Sequence, residues 1–184
     1  CVLLYPFVKN ELFLRTKIED CAEAVKEQIN NLIALNLLTR DGVNGSLSRA
    51  NVGTEGYAVL TGLGRILRET FERYTITSLL LVQDISEVPA LRDDVEVHTI
   101  EMAQRLAILS GREAPEYFDK NLFRGYIDTL IQQGLLLVNE QDSAEFLRVD
   151  KRLEALSQRW VALLGPDVQQ SMQQLIRKPV MNEA

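Results

Sequence analysis

The sequence contains few of the residues that most often carry out chemistry. Its 184 residues include two cysteines, one histidine and one tryptophan. Cys1 and Cys21 form no Cys-x-x-Cys pair, so neither a disulfide framework nor a thiolate metal site is indicated, and a reducing compartment is favoured. With His98 as the single imidazole, a histidine-based metal site is disfavoured as well. We therefore expect neither a metal nor a cofactor.

Long apolar runs and an excess of basic charge are also missing. No run reaches the roughly 18 consecutive apolar residues that indicate a transmembrane helix, and the longest candidate is Ser78–Val82. Twenty Lys and Arg against 26 Asp and Glu give a net charge of −6. Because nucleic-acid binding needs a basic face to neutralise phosphates, that class of function is disfavoured. What remains is the composition of an ordinary globular protein.

Residues 1–92 are interpreted as a helix–hairpin–long helix module. Apolar residues at helical spacing predict a helix over about 19–35. Asp-Gly at the start of the turn Asp41–Asn44, between two strand-like runs, favours a hairpin. Thr54 is a suitable cap for a long amphipathic helix.

We expect that long helix to be bent or broken near Thr75–Thr77. Its polar face carries three pairs of opposite charge at i, i+4 spacing, a pattern that stabilises a helix surface: Arg65–Glu69, Arg68–Glu72 and Glu69–Arg73. Residues 84–92 are then predicted to be a linker.

Residues 93–184 are interpreted as a helix–helix–hairpin–helix module. Asp93, with Glu96 three residues later, is typical of a capping box at a helix start. A polar turn at residues 140–143 predicts the second hairpin. Residues suited to helix ends mark the other elements: Asp119 and Asp150 at helix starts, Gly134 at a helix end, and Pro166 at the restart of the last helix.

One apolar pattern occurs twice. Ile29, Leu32, Ile33, Leu37 and Leu38 recur 98 positions later as Ile127, Leu130, Ile131, Leu135 and Leu136. Asn36 aligns with Gly134, and both residue types suit a left-handed helix end. A true structural repeat is one interpretation; the other is that any amphipathic helix leading into a hairpin looks like this.

Helix plus hairpin is the shape of a winged-helix module. The candidate recognition helices, residues 19–33 and 119–133, are acidic or neutral, so protein docking is favoured over DNA binding. We predict a mainly α fold, an irregular helical bundle with two small β-hairpins that form winged-helix-like elements.

No complete active site can be assembled from the candidate residues. His98 is a possible base, but a partly buried, hydrogen-bonded helix histidine is the favoured alternative. Cys21 on an apolar face favours a packed thiol. Gly42–Ser46 favours a hairpin turn over a phosphate cradle, and the acidic pairs Glu19–Asp20 and Asp93–Asp94 suit helix starts. We assign no catalytic, cofactor-binding or metal-ligating residue.

Three segments carry a resemblance that covers nearly the whole chain in order. Met102–Leu106 leads into Ala114–Lys120, and the other two segments are Tyr5–Leu14 and Arg68–Thr77. Together they resemble the C-terminal region of bacterial membrane-associated glycerol-3-phosphate acyltransferases. The family's chemistry depends on a His-x4-Asp box, whereas His98 is followed five positions on by Ala103. No catalytic residue can therefore be assigned to this chain from the resemblance.

The resemblance implies a non-catalytic C-terminal region that braces or positions the catalytic domain of the same protein. The parent enzyme would transfer an acyl group from acyl-CoA or acyl carrier protein to the sn-1 hydroxyl of glycerol 3-phosphate. It would act at the cytoplasmic face of the bacterial inner membrane, with peripheral membrane contact, and self-association is possible. A free-standing, winged-helix-like docking or regulatory protein without enzymatic activity is the alternative.

The start of the chain bears on both interpretations. It begins at Cys1 rather than at methionine, which favours a piece of a longer protein over a processed or trimmed terminus. Nine of the thirteen residues from position 2 to position 14 are apolar and occupy every side of a helix, so we expect this segment to be buried: Val2, Leu3, Leu4, Tyr5, Phe7, Val8, Leu12, Phe13 and Leu14. Docking on the catalytic domain is predicted, and complete burial within the chain is the alternative. Membrane contact is a weaker alternative, because an interfacial helix needs a face rich in Lys and Arg and only Lys9 and Arg15 are nearby.

Overall fold

In the computed structural model the described residues are 4–12, 14–85, 88–109, 115–141 and 143–177. They form α-helices with two small antiparallel sheets, which confirms the predicted mainly α fold class. The helices are α1 (Tyr5–Glu11), α2 (Cys21–Ala34), α3 (Glu55–Ile66), α4 (Arg68–Asp84), α5 (Arg92–Leu109), α6 (Lys120–Gln132), α7 (Arg152–Ala162) and α8 (Pro166–Arg177). The strands are β1 (Leu38–Arg40), β2 (Leu47–Arg49), β3 (Ala90–Leu91), β4 (Leu136–Gln141) and β5 (Ala144–Val149), and a 3₁₀ turn covers Pro115–Phe118.

Contacts divide the chain into two compact units, residues 1–67 and residues 68–184. The predicted modules 1–92 and 93–184 divide it at a different point. The reason is that α4 packs against α5, α7 and α8, all of which follow it in the chain. As functional divisions the two modules stay predictions.

In the first unit, α2 is followed by the β1–β2 hairpin. The helix ends where Asn36 adopts a φ of 56°, and the backbone N of Leu37 donates to the carbonyl oxygen of Leu32 at 2.9 Å. These are the features of a Schellman cap. β1 and β2 pair antiparallel with Leu38 opposite Arg49, which confirms the first predicted hairpin.

The apolar segment before α2 is buried only in part. Tyr5 and Phe7 are buried, and the Tyr5 hydroxyl donates to the carbonyl oxygen of Thr16 at 2.6 Å. Leu14, by contrast, is 37% exposed, so the expectation of burial fails at that position. Val2, Leu3 and Phe13 lie outside the described residues.

The long helix is interrupted eight residues before the predicted position. α3 ends at Ile66 and α4 begins at Arg68, whereas Thr75–Thr77 lie inside an uninterrupted α4, so the predicted position of the break is wrong. The hydroxyls of Thr75 and Thr77 donate to carbonyl oxygens one turn earlier, at 2.7 and 2.8 Å. The helix backbone thus satisfies both hydroxyls without being broken. Thr54 does cap α3, since its Oγ1 accepts from the backbone N of Tyr57.

α4 is the central helix of the second unit and contacts α5, α6, α7 and α8. Glu72 and Arg73, assigned to a polar surface by their i, i+4 spacing, are completely buried. That assignment is wrong because α4 is covered on several sides, so no wide face is left for solvent.

Residues 84–92 are not only a linker. β3 pairs antiparallel with β5, with Ala90 opposite Leu147, and α5 already begins at Arg92. The predicted capping box is also wrong: Asp93 lies within the first turn of α5, and the carboxylate of Glu96 accepts from Arg92 Nε and Arg124 Nε instead.

The sheet of the second unit has the strand order β3-β5-β4. With the element order α4-β3-α5-α6-β4-β5, this is the arrangement of a winged helix, and it confirms the second hairpin. The hydrophobic core of the second unit lies between α4, α5, α6 and α8. It includes these buried apolar side chains: Ile76, Leu80, Ile100, Met102, Ala103, Leu106, Ala107, Tyr117, Phe123, Leu164, Val168 and Met172.

Candidate functional site

The single histidine borders an apolar cavity in the second unit. The cavity has a volume of about 160 Å³ and lies between the end of α4, β3 and the first half of α5. Leu80, Leu81, Ile85, Ala90, Val95 and Thr99 line it together with Asp94 and His98. His98 is half-buried on a helix, as predicted.

Asp94 is the one other candidate from the sequence that borders the same cavity as His98. A carboxylate one turn before an imidazole is a suitable orienting partner for a base, but catalysis also needs a nucleophile or a bound substrate. The cavity wall is otherwise aliphatic apart from Thr99. The arrangement therefore suits a small apolar group better than proton transfer.

The remaining candidates lie away from this cavity. Cys21 is the first residue of α2, half-buried and outside any disulfide. Gly42–Ser46 forms an exposed hairpin turn in which the backbone N of Val43 donates to Asp41 Oδ1 at 2.9 Å. The pair Glu19–Asp20 precedes α2 and is exposed.

A buried charged cluster on α4 was missed by the sequence analysis. Glu72 accepts from Arg68 Nε at 2.6 Å and from the hydroxyl of Tyr117, and Arg68 also reaches Asp167 at 3.2 Å. Burial alone would lower the pKa of Arg68. The hydrogen bond to Glu72 and the negative charge of the Glu72 carboxylate raise that pKa instead. The cluster thus holds α4, the 3₁₀ turn and α8 together by charge-assisted hydrogen bonds.

Arg73 continues this cluster on the next position of α4. Its guanidinium lies over the rings of Tyr74 and Phe123, with centroid distances of 5.7 and 5.9 Å. Such contacts stabilise a buried cation. The sequence did mark this segment, since Arg68–Thr77 is one of the three segments that carry the family resemblance. The i, i+4 spacing of its charges, taken alone, favoured an exposed helix face over a buried cluster.

An aromatic cluster joins α4, α6 and α7. Tyr74 stacks on Tyr126 with a centroid distance of 4.2 Å, and the hydroxyl of Tyr126 accepts from Trp160 Nε1 at 2.9 Å and lies 2.6 Å from Ser78 Oγ. Burial raises the pKa of Tyr126 well above its ordinary value, although the hydrogen bonds of Ser78 and Trp160 act against the shift. The phenol is therefore neutral at physiological pH and acts in packing rather than as a base.

A network of ion pairs around Arg92 links the elements of the winged helix. Arg92 at the start of α5 donates to Glu96 at 2.9 Å, to Asp128 of α6 at 2.6 Å and to Glu145 of β5 at 3.2 Å. Burial alone would lower the pKa of Arg92, but these hydrogen bonds raise it above its ordinary value. Arg124 on α6 donates to the other oxygen of Glu96 at 2.6 Å. These charges are thus engaged in structural ion pairs.

The described residues hold neither a candidate metal cluster nor a candidate membrane span. Within residues 4–12, 14–85, 88–109, 115–141 and 143–177, no group of three or more His, Cys, Asp or Glu side chains is placed to hold a metal ion. No helix in that same part of the chain combines the length and the apolar character needed to cross a bilayer.

A family profile and individual relatives of this chain agree on one protein family. The sequence profile described as "Glycerol-3-phosphate acyltransferase C-terminal region" matches residues 1–139. The glycerol-3-phosphate acyltransferase of Pseudomonas putida is 38% identical over 144 residues, which cover 78% of this chain and 17% of the relative. The protein of the same name from Xanthomonas axonopodis pv. citri is 31% identical over 176 residues, covering 94% of this chain and 19% of the relative. The chain thus spans less than one fifth of the length of these relatives.

Proposed function

The chain belongs to the glycerol-3-phosphate acyltransferase family, whose C-terminal region it matches, and on that premise we propose that it is the non-catalytic C-terminal region of such an enzyme. The whole enzyme would transfer an acyl group from acyl-CoA or acyl carrier protein to the sn-1 hydroxyl of glycerol 3-phosphate. The product would be lysophosphatidate, in the first step of phospholipid synthesis.

The observation that carries this proposal is the match of residues 1–139 to the profile of the C-terminal region. The alignments cover 17% of one relative and 19% of another, so more than four fifths of each relative lies outside the match. In this chain the single histidine is followed five positions on by alanine, not aspartate, and it borders an aliphatic cavity. We assign the described residues a scaffolding role for the catalytic domain.

The test is an assay of residues 1–184 as purified. We expect no acylation of glycerol 3-phosphate by labelled acyl-CoA or acyl carrier protein above the background without protein, because His98 has no aspartate at the spacing of the family box and borders a mostly aliphatic cavity. Turnover that disappears in a His98→Ala variant would contradict the non-catalytic assignment. A Cys21→Ala variant serves as the control for loss of activity through general damage.

The same proposal includes the cellular location and the oligomeric state of the whole enzyme. The enzyme would lie at the cytoplasmic face of the bacterial inner membrane, in peripheral contact with lipid, and could self-associate. Sedimentation of residues 1–184 with vesicles of phosphatidylethanolamine and phosphatidylglycerol tests whether this region itself makes the membrane contact. Light scattering tests whether it forms a dimer.

A free-standing docking module is the second candidate, and the winged-helix arrangement of α4 to β5 favours it. Such modules also serve in protein–protein contact, and nucleic-acid binding stays disfavoured by the net charge of −6. The reading frame upstream of Cys1 separates the two candidates. An in-frame His-x4-Asp box within a few hundred codons supports the acyltransferase, whereas a start codon directly before Cys1 supports the free-standing module.

A further inference from the structure

Two helices that are counterparts in the chain differ in how well they are covered. α2 and α6 each end at a residue with positive φ, Asn36 at 56° and Gly134 at 65°. In each, the residue after that position donates its backbone N–H to a carbonyl five positions earlier, at 2.9 Å. A hairpin follows in both cases. The two segments are thus the same local motif at an offset of 98 residues.

The centre of the apolar face of α6 is completely covered. Phe123, Ile127 and Leu130 are each 0% exposed, and α6 packs against α4, α5 and its own strand β4. Both α4 and α5 precede α6 in the chain. A helix followed by a hairpin is therefore buried here mainly by two helices that come before it, and Trp160 of the later helix α7 adds one contact with Tyr126.

Among the described residues, the counterpart face of α2 is less well covered. Val25, Ile29 and Leu32 occupy the positions of Phe123, Ile127 and Leu130, and each is only half-buried. α2 packs on β1, as α6 packs on β4. No residue of α2 is buried.

The neighbouring helix α3 also presents apolar side chains to solvent. Val59, Leu63 and Ile66 are 44%, 47% and 74% exposed, and their i, i+4, i+7 spacing places them in one row. The beginning of α3 lies close to the end of α2: a Cβ on Gly56 would come within 3.1 Å of the carbonyl oxygen of Asn36. We call these six residues the α2–α3 surface: Val25, Ile29, Leu32, Val59, Leu63 and Ile66.

We propose that the α2–α3 surface is a docking site for helices of the acyltransferase chain that precede this region. This inference rests on the proposed function. By the example of α6, the two helices that contribute most of the cover, α4 and α5, come before the covered one. The match to this chain covers less than one fifth of each relative's length. The occupant is thus a pair of amphipathic helices from the upstream part of the enzyme.

The charges around the surface are of both signs. Glu19, Asp20, Glu23 and Glu27 are exposed on or beside α2, together with Lys17 and Lys26, and Arg65 is exposed on α3. A helix that lies on a membrane pairs its apolar face with a face rich in Lys and Arg. Since carboxylates outnumber basic groups beside α2, a lipid surface fits less well than a protein partner.

The experiment expresses the upstream part of the reading frame and residues 1–184 as two separate chains and measures their co-purification. We expect the wild-type chain to co-purify with the upstream part. Leu63→Ser/Ile66→Ser should reduce the bound fraction at least about tenfold, since a few residues at the desolvated centre of an interface carry most of the binding energy. The matched control is Val97→Ser/Ile108→Ser, because these residues of α5 are equally exposed, at 53% and 76%, and lie outside the surface.

Each other outcome decides against the inference. Co-purification that both double variants leave unchanged, or its absence for the wild type, overturns the docking site while the proposed function stands. A dimer of residues 1–184 that Leu63→Ser/Ile66→Ser dissociates means that a second copy occupies the surface, and vesicle binding lost in that variant means that lipid does. A start codon directly before Cys1 overturns the proposed function itself. Circular dichroism of both double variants excludes unfolding as the cause.

Discussion

The hydroxyl of Tyr117 donates a hydrogen bond to the buried carboxylate of Glu72, which lies forty-five residues earlier in the chain. Glu72 is held on its other side by Arg68 at 2.6 Å. The carboxylate is thus anchored from the 3₁₀ turn and from its own helix. Since a buried charge is tolerated only when it is hydrogen-bonded and paired, this contact ties the position of the 3₁₀ turn to α4.

Tyr117→Phe should lower the free energy of unfolding by about 1–3 kcal/mol, because it removes one donor from a buried charged acceptor without changing the packing of the ring. Urea unfolding followed by the fluorescence of Trp160 measures this, since Trp160 is the single tryptophan and is completely buried in the second unit. Phe118→Leu, at the neighbouring position that is 61% exposed, is the control and should leave the midpoint unchanged. Equal midpoints for Tyr117→Phe and the wild type would show that the hydrogen bond adds nothing to stability.

A second prediction concerns Arg92, whose guanidinium reaches α5, α6 and β5 at once. Arg92→Lys should lower the free energy of unfolding by about 1 kcal/mol, because an ammonium group cannot match the planar fork that spans Glu96, Asp128 and Glu145. Arg105→Lys on the same helix is the control. The difference between the two variants should shrink at high salt, where exposed pairs are screened. If both variants unfold at the same urea concentration, the network has no net effect.

Local signals in the sequence predicted the ends of α2 and α6 well. Asn36 and Gly134 were aligned from the apolar pattern alone, and both adopt the left-handed conformation at a helix end. The reason is that a Schellman cap depends on a few consecutive residues. Thr54 and Asp119 were predicted as caps for the same reason, and their side chains accept from Tyr57 N and Asn121 N.

Features that depend on distant parts of the chain were not predicted. The pair Arg68–Glu72 has the same spacing whether its helix is exposed or buried, so the burial of Glu72 depends on α5, α7 and α8, which cover α4. β3 is only two residues long, too short for an alternating pattern, and exists because β5 offers it an edge. The cavity beside His98 likewise brings together α4, β3 and α5.

Acid should destabilise the second unit through two carboxylates. Hydrogen bonds from Arg152 lower the pKa of Asp150; burial alone would raise the pKa of Asp167, but the backbone N–H of Val168 and the guanidinium of Arg68 lower it. A carboxyl group with a lowered pKa in the folded state stabilises it above the unfolded value of about 3.8, and this contribution is lost as pH falls through the folded value.

The urea midpoint measured by Trp160 fluorescence should therefore change little between about pH 7 and pH 5 on account of these two groups and fall below about pH 4. Asp150→Asn/Asp167→Asn should be less stable than the wild type at neutral pH and should have a flatter dependence in acid. An acid dependence as steep as that of the wild type in this double variant would assign the loss of stability to other groups.

The last prediction compares the helix-end residues of the two motifs, Gly134 after α6 and Asn36 after α2. Gly134→Ala should lower the free energy of unfolding by about 1 kcal/mol, because a Cβ is strained at a φ of 65°. Space is not the reason, since the nearest neighbouring atom to that Cβ, Arg152 Nη2, lies at 3.6 Å. Gly134→Asn should lose less stability than Gly134→Ala, as Asn36 holds the equivalent conformation in α2.

Gly125→Ala is the matched control for these two variants. Gly125 lies within α6 at an ordinary helical φ, and a Cβ there would meet nothing within 4 Å. Alanine should therefore leave stability unchanged or raise it by up to about 1 kcal/mol, through its higher helix propensity. Urea midpoints from Trp160 fluorescence should rank Gly125→Ala at or above the wild type, then Gly134→Asn, then Gly134→Ala. Equal midpoints for the two Gly134 variants would show that asparagine does not reduce the backbone strain at this position. The two caps would then share their geometry but not their preference for asparagine.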